Sequence, residues 1–127
     1  MAKEPKIEKL KSKISFGIKF WLQFENKSIL GSGWAELLKS IEKNKKGSLT
    51  QAAKDCNYSY KYAWNILKRI EKRTGMPVVI TGKGGPGGGG WIKLNEWGQY
   101  LLNTYNQYFK KISKIEQNIE GAVKTNK

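Results

Sequence analysis

Two amphipathic patterns, separated by only about three residues, constrain the fold of this chain most strongly. Residues 47–67, GSLTQAAKDCNYSYKYAWNIL, space their apolar side chains first as one helix and then as another. Between these patterns, Asn57 and Ser59 are of the types that favour a tight turn and a new helix start. The small residues that would let the two helices cross closely are Ala52, Ala53 and Ala63. A connection this short forces a steep crossing, which is typical of a helix-turn-helix.

Apolar periodicity predicts three consecutive helices, each with the repeat of a helix that buries one face. The second begins at Ser48 and Gln51, whose S-x-x-Q spacing predicts a capping box. Gly75 and Pro77 are signals that end the third. The positions predicted to be buried are, helix by helix, Trp34, Leu37, Leu38 and Ile41; Leu49, Ala52, Ala53 and Cys56; and Ala63, Ile66, Leu67 and Ile70.

A strand and a hairpin are predicted ahead of these helices. Apolar and polar residues alternate from Ile14 to Phe24, which predicts a strand of about ten residues. A turn at Asn26 and Lys27 with a returning arm at 28–30 would complete the hairpin. The side chains predicted to share one face of the strand are Ile14, Phe16, Ile18, Phe20, Leu22 and Phe24.

A second hairpin is predicted after the third helix, with short strands at 78–80 and 91–94 around the glycine-rich segment TGKGGPGGGG. Residues 82–87 match the G-x-G-x-x-G pattern of dinucleotide sites, but a strand rather than a helix follows the last glycine. Lys83 is followed by glycine rather than by the Ser or Thr of a phosphate-binding loop. We therefore interpret residues 82–90 as a wing with a cationic tip, the alternative being a tip that makes no contact.

The charge of the chain favours a polyanionic partner, because 24 Lys and Arg outnumber 10 Asp and Glu, for a net charge of +14. On the third helix, Lys61, Asn65, Lys68 and Lys72 lie opposite the core without an acidic residue on the same face. Such a face suits the major groove of DNA, although many lysine stripes are simply solvated. The residues predicted to contact DNA are Ser48, Thr50, Gln51, Ser59, Tyr60, Lys61, Asn65, Lys68, Lys72 and Lys83.

Several kinds of chemistry are excluded by composition. The chain has no histidine and a single cysteine, Cys56, which leaves no imidazole base and no disulfide or metal cluster. The carboxylates are scattered among lysines, so we find no acid–base pair. We therefore expect no enzyme activity, cofactor or metal. No apolar run is long enough to span a membrane and the N-terminus does not resemble a secretory signal, so a soluble cytoplasmic, nucleoid-associated protein is expected.

Residues 15 to about 110 resemble the N-terminal DNA-binding domain of ModE, the molybdate-responsive transcription regulator. The resemblance rests on LGSGWAELL, GSLTQAAK, SYKYAW, GKGGPGGGG and LNEWGQYLL, in this order. It implies a dimeric winged-helix domain that inserts the helix carrying Ser59, Tyr60 and Lys61 into DNA and regulates genes at palindromic operators. ModE binds molybdate through C-terminal domains, whereas this chain ends shortly after its last helix, so we expect no molybdate site within it.

The last predicted helix opens at Asn95 and Glu96 and runs to about Glu120. Its apolar residues repeat at alternating spacings of four and three, which is typical of a heptad seam and favours a homodimer. The predicted dimerisation residues are Leu101, Tyr105, Tyr108, Ile112, Ile115 and Ile119. In the alternative, Trp97, Leu101 and Tyr105 pack on their own domain while the distal part of the helix frays.

These observations predict an α+β, mostly helical fold, a winged helix-turn-helix with an N-terminal strand or hairpin and a long C-terminal dimerisation helix. The predicted domains are a basic tail or short helix at 1–13, the DNA-binding domain at 14–95, and the dimerisation helix and frayed tail at 96–127. The predicted function is a sequence-specific double-stranded DNA-binding transcriptional regulator, with recognition helix 59–73 and wing 82–90. Alternatives are an abundant nucleoid-architectural protein with little sequence preference, a small RNA-binding or protein-adaptor winged helix and, least favoured, a nucleotide-dependent enzyme.

Overall fold

Helices and two short hairpins alternate along the chain in a computed structural model that describes residues 6–44, 46–84 and 90–125. In chain order the elements are α1 (Ile7–Lys11), β1 (Leu22–Phe24), β2 (Lys27–Leu30), α2 (Ser32–Lys43), α3 (Leu49–Asp55), α4 (Tyr60–Thr74), β3 (Val79–Gly82), β4 (Trp91–Leu94) and α5 (Glu96–Thr125). Each hairpin is a separate two-stranded antiparallel sheet. The predicted α+β, mostly helical winged-helix architecture with a long C-terminal helix is confirmed.

The contacts within the chain divide it into two units. The larger unit, Phe20–Tyr108, contains both hairpins, helices α2 to α4 and the first part of α5. The smaller unit combines the described residues of 1–19 with those of 109–127, and the backbone N–H of Ile18 donates to the Glu116 carboxylate there at 2.9 Å. The units are defined by internal contacts, so the domain boundaries proposed from the sequence stay a prediction.

The long N-terminal strand predicted from Ile14 to Phe24 is wrong in extent. Only Leu22–Phe24 pairs as a strand, because the partner β2 has just four residues and offers no further hydrogen bonds. The alternation itself persists as burial, with Ile18, Phe20, Leu22 and Phe24 half-buried and the residues between them exposed. Ile14 is 74% exposed and lies outside this pattern. The turn falls one residue earlier than predicted, at Glu25 and Asn26, which both have positive φ as a two-residue hairpin turn requires.

The three predicted central helices are confirmed, and their apolar faces form the core. Leu37, Leu38 and Ile66 are at most 2% exposed, and at about 1.5–3 kcal/mol for each fully buried side chain such residues dominate the stability of the unit. Trp34 and Cys56, also expected to be buried, are half-buried. The predicted residues that are buried are Leu37, Leu38, Ile41, Leu49, Ala52, Ala53, Ala63, Ile66, Leu67 and Ile70.

Helix α5 closes this core from its N-terminal end. The Asn95 side-chain oxygen accepts from the backbone N–H of Gly98 at 2.8 Å, which fixes the start of the helix as predicted. Leu101, Leu102 and Tyr105 are then 4%, 0% and 3% exposed. Leu101 and Tyr105 therefore lie in the core of their own chain, and their predicted dimerisation role stays a prediction.

Candidate nucleic-acid interface

Helix α4 presents the predicted polar face to solvent. Its opposite face is buried, so Lys61, Asn65, Lys68 and Lys72 are all exposed. Ser59 caps the helix by accepting from the backbone N–H of Tyr62 at 3.1 Å. Because this cap fixes the first turn, the exposed side chains of the face occupy defined positions along the helix.

A short turn joins α3 to α4, and small buried residues lie on both helices, as expected of a helix-turn-helix. Ala52 and Ala63 are both fully buried, so no bulky side chain separates the two helices. Asn57 adopts a φ of 59°, and the N–H of Tyr58 donates to the carbonyl of Ala53 at 2.9 Å, which closes the turn. These contacts fix the short turn between the end of α3 and the start of α4.

Tyr58 fastens this turn to α2. Its hydroxyl donates to the carbonyl of Gly33 at 3.0 Å, and its ring meets that of Tyr62 edge-on with centroids 4.9 Å apart. Burial raises the pKa of the Tyr58 hydroxyl, and a smaller contribution from Tyr62 acts in the same direction. The hydroxyl therefore stays protonated, and able to donate, throughout the neutral range.

The start of α3 supplies the second group of predicted contacts. The Ser48 hydroxyl accepts from the backbone N–H of Gln51 at 3.0 Å, but Gln51 donates through its side chain to Asp55 at 2.9 Å and does not reach back to Ser48. The predicted capping box is thus half formed: the Gln51 amide nitrogen is held by the Asp55 carboxylate one turn along, and the amide oxygen does not accept from the backbone N–H of Ser48. Thr50 and Gln51 are exposed at the helix N-terminus, where their groups suit a phosphate oxygen.

The second hairpin stands beside these helices. Its strands pair from Val79 with Leu94 to Gly82 with Trp91. The tip, residues 85–89, lies outside the described residues, so the predicted wing of 82–90 is described only at its base. Lys83 is exposed at that base.

Gly47 links the hairpin to the start of α3. Its carbonyl accepts from the backbone N–H of Ile92 at 2.8 Å. The residue has a φ of 69°, and a Cβ there would lie 3.1 Å from the carbonyl oxygen of Ile92. Glycine is therefore required where the loop before α3 meets β4.

An aromatic cluster in the cleft between hairpin and helices was not predicted, although Tyr60 itself was predicted to contact DNA. Tyr60 and Trp64 of α4 and Trp91 of β4 line an open cleft of about 620 Å³ together with the start of α3. Tyr60 is 56% exposed. Rings beside the hydroxyl groups of Ser48 and Thr50 suit apolar contact with the thymine methyl groups of a duplex. The apolar periodicity of the sequence carried no signal for this cluster, because it forms only when the hairpin packs beside α4.

The charge of the α4 face also differs from the prediction in one respect. Glu71 approaches Lys68 at 3.5 Å, so the face is not free of acidic residues. The same lysine ammonium lies 4.8 Å from the centre of the Trp64 ring. Side chains three residues apart lie on the same side of a helix, so the spacing of Lys68 and Glu71 in the sequence could have predicted this ion pair.

The distal part of α5 carries the rest of the predicted seam. Tyr108, Ile115 and Ile119 are 50%, 50% and 41% exposed, and Ile112 is half-buried. The dimerisation candidates that keep surface for a partner are therefore these four residues.

Among the residues that the structure describes, no three or more cysteine or acidic side chains come together in a group that could hold a metal ion. Over the same residues, no helix has the length and apolar character needed to cross a membrane.

Comparison with known proteins shows a group of regulators that share part of this sequence. The chain is 38% identical over 60 residues to the DNA-binding transcriptional dual regulator ModE of Escherichia coli K12, a match that covers 47% of this chain and 22% of that protein. It is 39% identical over 70 residues to the transcriptional regulator ModE of Haemophilus influenzae, covering 55% of this chain and 26% of the relative. No protein-family model matches the chain.

A third relative extends the similarity further along the chain. The molybdenum-pterin-binding protein MopB of Rhodobacter capsulatus is 30% identical over 94 residues, which is 74% of this chain and 34% of that protein. Across the three relatives the chain spans between 22% and 34% of their lengths. The resemblance predicted from the sequence is confirmed at the level of one domain.

Proposed function

We propose that this chain, which carries a ModE-like winged-helix domain, is a transcriptional regulator that binds double-stranded DNA. The single observation that supports this most strongly is the exposed face of α4, with Lys61, Asn65, Lys68 and Lys72 opposite a fully formed core. A helix of this kind fits the major groove, where lysine reaches guanine acceptors or phosphates and asparagine pairs with adenine. The similarity to two ModE proteins that are named as transcriptional regulators supports the same function.

The two neighbouring elements have supporting roles in this proposal. The start of α3, with Ser48, Thr50 and Gln51, contacts phosphate oxygens on one strand. The hairpin contacts the backbone or minor groove through Lys83 and its glycine-rich tip. An architectural protein without sequence preference is not favoured, because the ModE relatives are named as transcriptional regulators.

We further propose that the protein acts as a homodimer in the cytoplasm, at the nucleoid. Tyr108, Ile112, Ile115 and Ile119 form the seam on the distal part of α5, and burying these partly exposed side chains against a second copy would stabilise a dimer. A dimer reads a two-fold symmetric site whose half-sites are separated by about one helical turn or a multiple of it.

Selection from a random duplex library tests the proposal. We expect repeated selection to enrich an inverted repeat, because two copies of α4 read the same sequence in opposite orientations. Enrichment of a single half-site would support sequence-specific DNA binding but would contradict binding as a dimer. A pool that stays random after binding and elution would contradict sequence-specific recognition.

A further inference from the structure

A second group of cations lies on the flank of α4 away from the aromatic cleft. We call Lys27, Arg69, Lys72 and Arg73 the hairpin patch, because Lys27 is the first residue of β2 and the other three lie in the last turns of α4. With Ser28 they line an open cleft of about 720 Å³. Arg69 follows Trp64 by five residues, which places it about 140° round the helix from the side that faces β4.

Arg73 fixes the hairpin against α4. Its guanidinium donates to the carbonyl of Ser28 and lies 5.7 Å from the centre of the Trp34 ring. This contact holds the backbone of the β1–β2 hairpin, next to Lys27, beside the last turns of α4 that carry Arg69 and Lys72.

The other cations of the hairpin patch are not neutralised within the described residues. Lys27, Arg69 and Lys72 form no salt bridge there, whereas Lys39 and Lys68 lie beside Glu36 and Glu71. Like charges gathered round one cleft repel each other, and an anion in the cleft relieves that repulsion. The planar guanidinium of Arg69 also matches the geometry of a phosphate.

The dimensions of DNA indicate that the anion in this cleft is a phosphate of the DNA backbone. The major groove is about 12 Å wide, and a helix with its side chains is about 10–12 Å across, so a helix in the groove has a phosphate strand on each flank. The wing and the start of α3 serve the flank near Trp64. Lys72 belongs to both the recognition face and the hairpin patch, which makes the two surfaces continuous.

We propose that the hairpin patch binds the phosphodiester backbone on the edge of the major groove opposite the wing. The proposal rests on the proposed function, since it assumes that α4 enters that groove. It assigns the β1–β2 hairpin a role as a second, N-terminal clamp on DNA.

The test measures how duplex affinity depends on salt for the full-length chain and for Lys27→Gln, Arg69→Gln and the double variant. Each phosphate contact that is lost reduces the slope of log K against log salt by about 0.9, so the double variant should lose nearly 2. Arg73 is left unchanged because it holds the hairpin in place. Lys114→Gln, in the other unit, is the matched control with the same change of charge and should keep the full slope.

Variants that keep the positive charge distinguish the loss of a phosphate contact from a defect in folding. Lys27→Arg and Arg69→Lys should retain the slope of the unchanged protein, because a cation still faces the phosphate. A double glutamine variant with an unchanged slope, tested beside a Lys61→Ala variant that binds more weakly, would overturn the hairpin patch and leave the proposed function standing. An unchanged protein that does not bind duplex DNA would overturn the proposed function itself, and the hairpin patch with it.

Discussion

Among single residues, Glu71 has the clearest effect on the charge of the recognition face. Its carboxylate lies 3.5 Å from the Lys68 ammonium and would repel a phosphate that approaches α4. We expect Glu71→Gln to tighten binding to duplex DNA a few-fold, because an exposed pair of this kind contributes about 0.2–1 kcal/mol. Fluorescence anisotropy of a labelled duplex measures the change.

Glu36→Gln is the control for this prediction, because Glu36 pairs with Lys39 on α2 at 3.6 Å and its loss changes the net charge equally. If both variants bind equally more tightly, the effect comes from the net charge and not from the α4 face.

We propose that Lys61 and Asn65 of α4 contact base edges in the major groove. Replacing either with alanine should weaken binding to the preferred duplex by about 1–3 kcal/mol and relax the preference for bases, since both side chains are exposed where base edges would lie. The measurement compares affinity for the selected site with affinity for a random duplex. Equal losses on both duplexes would reassign these residues to phosphate contacts.

Gly47 is the residue on which the join between hairpin and α3 depends. We expect Gly47→Ala to lower the free energy of unfolding by about 1–3 kcal/mol, because alanine would have to adopt a φ of 69° and its Cβ would crowd the Ile92 carbonyl. Urea denaturation measures this loss. Gly121→Ala in α5 is the control, since a Cβ there meets nothing within 4 Å, and it should not destabilise the protein.

At the scale of elements, helices were predictable and the first strand was not. Each central helix repeats its apolar residues over several turns, so periodicity alone located Leu37, Leu67 and the residues around them. Alternation from Ile14 onward correctly predicted which of the later side chains face inward. It did not predict pairing, because the length of β1 is set by its short partner and not by its own sequence.

The candidate site was predictable where it is local and missed where it is tertiary. Ser48 and Ser59 cap helices, and the α4 face follows from one helical period. The aromatic cleft and the hairpin patch join residues from distant segments, as when Lys27 and Arg69 line the same cleft. No spacing in the sequence reports such a contact.

The seam on the distal part of α5 leads to a prediction about the oligomeric state. Replacing Ile115 and Ile119 with lysine should convert a dimer of twice 14.5 kDa into a monomer, because both side chains are about half exposed in a single chain and would be covered only by a partner. Light scattering measures the mass. The control, Gln117→Lys with Asn118→Lys, adds the same charge beside the seam and should stay dimeric. A full-length chain that is already monomeric would show that the seam serves another purpose.

For the whole molecule, the net charge of +14 and the position of α4 lead to the same expectation. A chain with this excess of lysine and arginine attracts any polyanion over distances set by the ionic strength. In the function that we propose, the attraction converges on one helix face, with the wing and the hairpin patch as two further contacts to DNA. Binding should therefore release many counterions at once.

The salt dependence of duplex binding by the full-length protein tests this central claim most directly. If the α4 face, the start of α3 and the hairpins contact about six to ten phosphates, the slope of log K against log salt should lie near −5 to −9. A Lys61→Ala protein measured in parallel should bind more weakly at every salt concentration. An affinity that does not change with salt, or no binding to duplex DNA at low salt, would contradict the account.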